Sequence, residues 1–278
     1  MTILIFTFLL LIFSFFAGIL GALTGLGGGV VIIPVLVLLF NIDIHYAMGA
    51  SLISVIATSS GTAAAYLREG FTNLRIGMFL EVAAVIGAFI GALLIAYVSQ
   101  TFLAILFSLI LFFSAWLTIK RKEEEEIYTA SHPWAMKLQL NGDYPYQNQQ
   151  MAYHVQHVRT GFLLMGVAGL FSGLLGIGSG ALKVLAMDQA MRLPYRVSTT
   201  TSNFMIGITA AVSAGIYFSH GYIYPPIAFP VLIGVIAGAL LGARLLTKIH
   251  VRWLRIIFSV VICLMGAQML YKALTGNI

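Results

Sequence analysis

Long apolar runs separated by short polar connections dominate this chain. Ten apolar segments can be marked: residues 3–23, 30–40, 46–67, 76–98 and 102–119, then 161–175, 181–191, 197–218, 227–246 and 256–274. Those of 18 residues or more, wound as helices, reach across a hydrocarbon core of about 30 Å. The first segment lacks the basic n-region of a secretion signal, so it reads as a retained membrane helix. The only extended polar stretch, residues 120–159, lies between the two sets of five.

The two sets resemble each other. A shift of 151 residues, without gaps, lays Gly18 on Gly169, Gly27 on Gly178, Ser51 on Ser202, Thr58 on Thr209 and Gly70 on Gly221. Gly87, Ala88, Gly91 and Ala92 fall on Gly238, Ala239, Gly242 and Ala243. Any one match of small residues is weak in a membrane sequence, but an unbroken register of this length reads as internal duplication.

Composition agrees. Of 278 residues 60% are hydrophobic and 9% charged, against about 45–50% and about 25% in a soluble domain. The bilayer is the expected solvent. The net charge of +6 forms no basic patch, so nucleic acid is not an expected partner. Instead the cations occupy connections, where they set orientation. Arg68 and Arg75 follow the third segment, whereas its counterpart connection has no Lys or Arg. Arg192 and Arg196, and likewise Lys248, Arg252 and Arg255, lie in second-half connections whose first-half counterparts have none. With the central cations, twelve of the fifteen Lys and Arg share one side. The expected fold is therefore an all-α polytopic membrane protein of two inverted repeats, with both termini outside and the central loop cytoplasmic. Its expected divisions are a first repeat (1–120), a loop (121–159) and a second repeat (160–278). Cys263 stands alone, so no intrachain disulfide can form.

The candidate chemistry starts at two glycine-rich turns. Gly25-Leu26-Gly27-Gly28-Gly29 precedes a segment of about 17 Å as a helix, too short to span, and Gly176-Ile177-Gly178-Ser179-Gly180 precedes its counterpart. Short broken or re-entrant helices after such turns leave irregular backbone inside the membrane, which is tolerated around a cavity. Their first N–H groups and dipoles would aim at one central point and suit a small oxyanion; the plainer role is close helix packing. Ser51, Ser54, Thr58 and Thr62 form one helical stripe, and Thr201, Ser202, Asn203, Thr209 and Ser213 lie in the equivalent segment. These read as a pathway lining, although such hydroxyls often bond only their own helix.

Two charges fall inside apolar segments. Glu81, whose repeat mate is Leu232, is either a proton-coupling carboxylate or one partner of Arg244 or another base near the cytoplasmic face. Lys183, whose mate is Ile32, either serves an anion at the glycine turn or snorkels toward the cytoplasm. In the central loop, alternation in residues 137–140 and 152–158 and the dipeptide Asn141-Gly142 point to a small β-hairpin turning at that dipeptide. His132, His154 and His157 lack metal-ligand spacing, and no hydrolase motif is present, so neither a metal site nor an enzyme is expected.

The segments GILGALTGLGGGVVIIPVLVLLF and AMGASLISV, with GLFSGLLGIGSGALKVLAM and VSTTTSNFM, resemble the sulfite exporter TauE/SafE family of membrane permeases over nearly the whole chain. The resemblance implies transport of sulfite, thiosulfate, sulfonates or related small anions in the bacterial cytoplasmic membrane, without a cofactor. It places family-like positions at Gly25, Gly27, Gly28, Gly29, Gly176, Gly178, Gly180, Ser51, Thr201 and Ser202. Ser179 stands where the first repeat has Gly28, and Asn203 where it has Leu52. The expected partners are a small anionic substrate and the lipid bilayer, and a homodimer is compatible with this reading. A passive anion channel and a non-transporting membrane subunit are the alternatives.

Overall fold

The fold follows the duplicated pattern closely. The computed structural model describes residues 3–24, 27–120, 131–146, 149–245 and 251–276. Gly25 and the charged run 121–126 lie outside the described residues. In the first half, α1 (Ile3–Thr24), α2 (Gly29–Leu39), α3 (Ile44–Glu69), α4 (Leu74–Leu94, prolonged by a 3₁₀ turn, Ile95–Tyr97) and α5 (Gln100–Lys120) match the five apolar segments. In the second, α7 (Val158–Leu175), α8 (Gly180–Leu185, running into a π-helical turn, Ala186–Ala190), α9 (Tyr195–Ser219), α10 (Pro225–Leu245) and α11 (Val251–Leu274) do the same. Between them lie the short α6 (Pro133–Lys137) and an antiparallel hairpin, β1 (Gly142–Tyr146) with β2 (Gln149–Tyr153), pairing Gly142 with Tyr153 and Tyr146 with Gln149.

Local chemistry sets these limits. Asp43 caps α3 by accepting from the His45 N–H at 2.8 Å, and Asn73 caps α4 by accepting from the Ile76 N–H at 3.1 Å. Gly70 closes α3 with φ +75 and Gly176 closes α7 with φ +66. The hairpin sits later than the alternation indicates. Gly142 opens β1 rather than forming the turn, and residues 138–140 close α6 as a turn, the Leu138 N–H donating to the Trp134 carbonyl and the Leu140 N–H to that of Ala135.

Among the described residues, α1, α4 with its 3₁₀ turn, α5, α7, α9 and α10 are long and apolar enough to cross a membrane, whereas α2 has 11 residues. Their outward faces are apolar: Phe8 and Phe16 on α1, Ile86 and Phe89 on α4, and Phe229 and Ile233 on α10 are all exposed. The polar stripes point inward instead, with Ser51, Ser54, Thr58, Thr62, Ser202, Asn203, Thr209 and Ser213 buried.

Packing respects the 151-residue register. Helix α1 packs on α10 as α4 packs on α7, α3 meets α10 as α9 meets α4, α3 meets α9, and α5 meets α11. The main α1–α10 and α4–α7 contacts therefore join one half to the other. At these contacts the matched small residues let backbones touch. A Cβ at Gly169 or Gly173 would strike the carbonyl of Ala84 or Ala88, and one at Gly238 would strike that of Phe15. Backbone conformation is shared too: Gly27 and Gly178 have φ +80 and +71, Asn41 and Arg192 have φ 50 and 58, and Gly70 and Gly221 have φ +75 and +74.

Candidate functional site

The two glycine turns meet in the interior. A methyl group at Gly27 would lie 3.4 Å from Val55 Cγ2 and 3.5 Å from Ile206 Cδ1; at Gly178 it would lie 2.7 Å from Val55 Cγ1 and 3.4 Å from Ile206 Cβ. Val55 and Ile206 are themselves repeat mates. In this conformation the point between the turns thus holds two apolar side chains.

Hydroxyls from the inward stripes tie these turns to α3 and α9. Ser51 on α3 donates at 2.7 Å to the carbonyl of Gly176 in the other half, and Ser202 on α9 donates at 3.3 Å to that of Gly180. The Gly28 N–H donates to Thr58 Oγ1 at 3.4 Å, while a Cβ at Gly29 would run into Ser51 and Val55. Ser179 donates at 2.6 Å to the Ala168 carbonyl and holds φ +44, whereas its mate Gly28 has φ −65, so the two turns differ in backbone there. Asn203 accepts from Ser59 at its backbone oxygen, 2.5 Å away, and its side-chain Nδ2 is buried without a hydrogen-bond partner among the described residues.

Thr201 faces elsewhere. Its Oγ1 accepts from the Asn73 N–H at 3.1 Å, at the connection between α3 and α4. The Asn73 side chain donates in turn to the Leu140 carbonyl at 3.2 Å and to the Tyr153 hydroxyl at 2.6 Å. The hairpin is thereby latched to the membrane helices, its Tyr144 and Tyr153 packing in one cluster with Ile76, Leu80, Met187 and Met205. Burial pushes the Tyr153 hydroxyl up to about 12, so it keeps its proton at ordinary pH.

The lone charges come together. Lys183 on α8 is fully buried and its Nζ lies 3.6 Å from Glu81 Oε2 on α4, itself 5% exposed. Thr209 on α9 bridges them: its Oγ1 accepts from the Lys183 ammonium and donates to Glu81 Oε1 at 2.6 Å. Glu81 Oε2 has no hydrogen bond among the described residues. The π-helical turn, a feature frequent at functional sites, follows Lys183 by three residues. Neither Lys183 snorkelling nor a particular partner for Glu81 was decided by sequence, because the two lie on helices distant in the chain. One signal pointed to both: each breaks the repeat, with Ile32 opposite Lys183 and Leu232 opposite Glu81.

A family model described as sulfite exporter TauE/SafE matches residues 10–269 of this chain. The chain is 27% identical to the probable membrane transporter protein YunE of Bacillus subtilis, covering 96% of this chain and 98% of that one. It is 32% identical to the probable membrane transporter protein YdhB of the same organism, over 85% and 89% of the two chains. A probable membrane transporter protein of Methanocaldococcus jannaschii is 28% identical over 94% of both. No solved structure matches.

Proposed function

Since the chain belongs to the TauE/SafE sulfite exporter family, we propose that it is a secondary transporter moving a small sulfur-containing or organic anion, such as sulfite, thiosulfate or a sulfonate, by alternating access and with proton coupling. The observation that carries this reading is the buried Lys183–Thr209–Glu81 group. Ionisable groups inside a membrane protein are costly and mark ion or proton pathways. Here a cation, a carboxylate and a relaying hydroxyl adjoin a glycine turn in a polar-lined interior. The substrate-binding set in this reading comprises Lys183, the turns at Gly25, Gly27, Gly28 and Gly29 and at Gly176, Gly178, Ser179 and Gly180, with Ser51, Ser202 and Asn203; Thr201 serves it from the Asn73 side. Val55 and Ile206 then close the point between the turns, and their withdrawal opens it.

The halves are inverted repeats in this proposal, with termini outside and the hairpin in the cytoplasm of a bacterial inner membrane. Loop charge supports it, as does the exchange of α1–α10 for α4–α7 packing under the repeat register. Reconstitution tests the function: liposomes should take up labelled sulfite, thiosulfate or ethanesulfonate with saturation and should show counterflow. Linear, non-saturating flux without counterflow would replace the carrier by a channel, and absence of flux would remove both.

A further inference from the structure

On the reading of the chain as an anion transporter, we propose that Glu81 is a built-in stand-in for the transported anion. In this scheme the anion takes the place of the Glu81 carboxylate beside Lys183, and the carboxylate leaves carrying one proton. The proton comes from the water on the side to which the site is open, binds a carboxylate oxygen, and is released when the anion departs and Glu81 returns. Lys183 stays charged throughout. Anion and proton therefore move together, one proton per cycle.

The geometry fits such an exchange. The ammonium has three N–H donors, and one of them goes to Thr209. Its 3.6 Å approach to Glu81 Oε2 is an ion-pair distance, longer than a good hydrogen bond. Among the described residues the carboxylate of Glu81 accepts a hydrogen bond at Oε1 and none at Oε2. A proton can thus arrive on Oε2 without displacing a hydrogen bond, and by ending the ion pair it frees the Lys183 ammonium for the incoming anion. Thr209 has a single hydroxyl proton and two acceptors within reach, Glu81 Oε1 at 2.6 Å and its own Met205 carbonyl at 3.0 Å. It can turn from one to the other as Glu81 leaves, still accepting from Lys183.

Charge balance requires the proton. The resting pair is neutral, and adding a monoanion beside it would leave one uncompensated negative charge away from water. Protonation of Glu81 restores neutrality. Among the described residues no other charge on the surrounding elements answers for it. On the elements packed against α4, Arg159 stacks over Trp134, Arg196 lies over Phe71, Tyr217 donates to the Leu174 carbonyl, and Tyr195 begins α9. On α4 itself Arg75 donates to Gln139, and Asp188 in the π-helical turn accepts from Gln189. Lys183 is the charged group that faces Glu81 among the described residues. Because the mates of the pair are Ile32 and Leu232, the duplicated fold offers one such exchange site rather than two.

The test uses ethanesulfonate and thiosulfate, neither of which titrates near neutrality. Calorimetric titration of the purified protein in buffers of different ionisation enthalpy should show about one proton taken up per ethanesulfonate bound, with affinity falling about ten-fold per pH unit on the alkaline side. In liposomes ethanesulfonate uptake should be insensitive to membrane potential, and thiosulfate uptake should carry one net negative charge. Glu81→Gln should bind ethanesulfonate more tightly at alkaline pH, take up no proton, and lose accumulation driven by a pH gradient while still exchanging. Lys183→Met alone strands a buried carboxylate and is prone to misfold. The uncharged pair Lys183→Met/Glu81→Gln strands neither charge, and should melt no lower than Glu81→Gln, which leaves the ammonium alone, yet bind neither probe. Binding by the wild type without proton uptake, or equal binding by the double variant and Glu81→Gln, overturns the exchange while leaving a transporter. A wild type that neither binds nor moves either probe or sulfite overturns the transporter reading and the exchange with it.

Discussion

At the scale of single residues, Val55 and Ile206 fill the point between the two glycine turns, and hydroxyls from α3 and α9 hold the turns around them. Positions that match, such as Ser51 with Ser202, proved to hold backbone carbonyls of the glycine turns. Two of the positions where a charge has an apolar mate, Glu81 and Lys183, face each other. Their pairing was not legible, since no periodicity links α4 to α8, and the apolar pair Val55 and Ile206 gave no chemical signal at all. Ser51→Ala should lower stability by about 1 kcal/mol, the worth of one buried hydrogen bond, and thermal unfolding in detergent measures it. Gly178→Ala should cost more, about 1–3 kcal/mol, because its backbone sits at φ +71 and the new methyl meets Val55. Adding Val55→Ala to Gly178→Ala should recover the steric share and leave the backbone share. A double variant no more stable than Gly178→Ala would show that strain is the whole effect.

At the scale of elements, apolar length alone placed ten helices within a few residues of their limits. What length could not reveal is where one helix changes type, as α8 does at Ala186, or how a polar loop registers. The hairpin is visible as alternation, but its turn lies later because residues 138–140 are used to close α6, with backbone bonds to the Trp134 and Ala135 carbonyls. Matched small residues were legible as a repeat, but their use needed the structure: they are where α1 meets α10 and α4 meets α7. Gly173→Ala and Gly238→Ala should therefore each destabilise by about 1–3 kcal/mol through forced separation of helices. Gly215→Ala, on an exposed face of α9 with nothing within 4 Å of the new methyl, should not. Equal melting temperatures for all three variants would refute tight packing at these crossings.

At the scale of the whole molecule, Gly70 and Gly221 offer the cleanest test of orientation. They are repeat mates with φ of +75 and +74, both exposed, and a side chain at either meets no atom within 4 Å. In a Cys263→Ala background, a cysteine at Gly70 should react with an impermeant thiol reagent only from the cytoplasm and one at Gly221 only from outside. Reaction of both from one side would exclude inversion. The contacts between halves carry a further consequence, for how the protein is made. Helix α1 finds its packing partner in α10, which begins at Pro225, so synthesis at about 5–20 residues per second leaves α1 in lipid for on the order of ten seconds or more before that partner exists. Its glycine face must spend that interval against acyl chains or a membrane chaperone. A nascent chain released after α5 has neither contact and should be cleared by membrane proteases. Two fragments divided within residues 121–130 and produced together should rescue each other, since each supplies the helices on which the other closes.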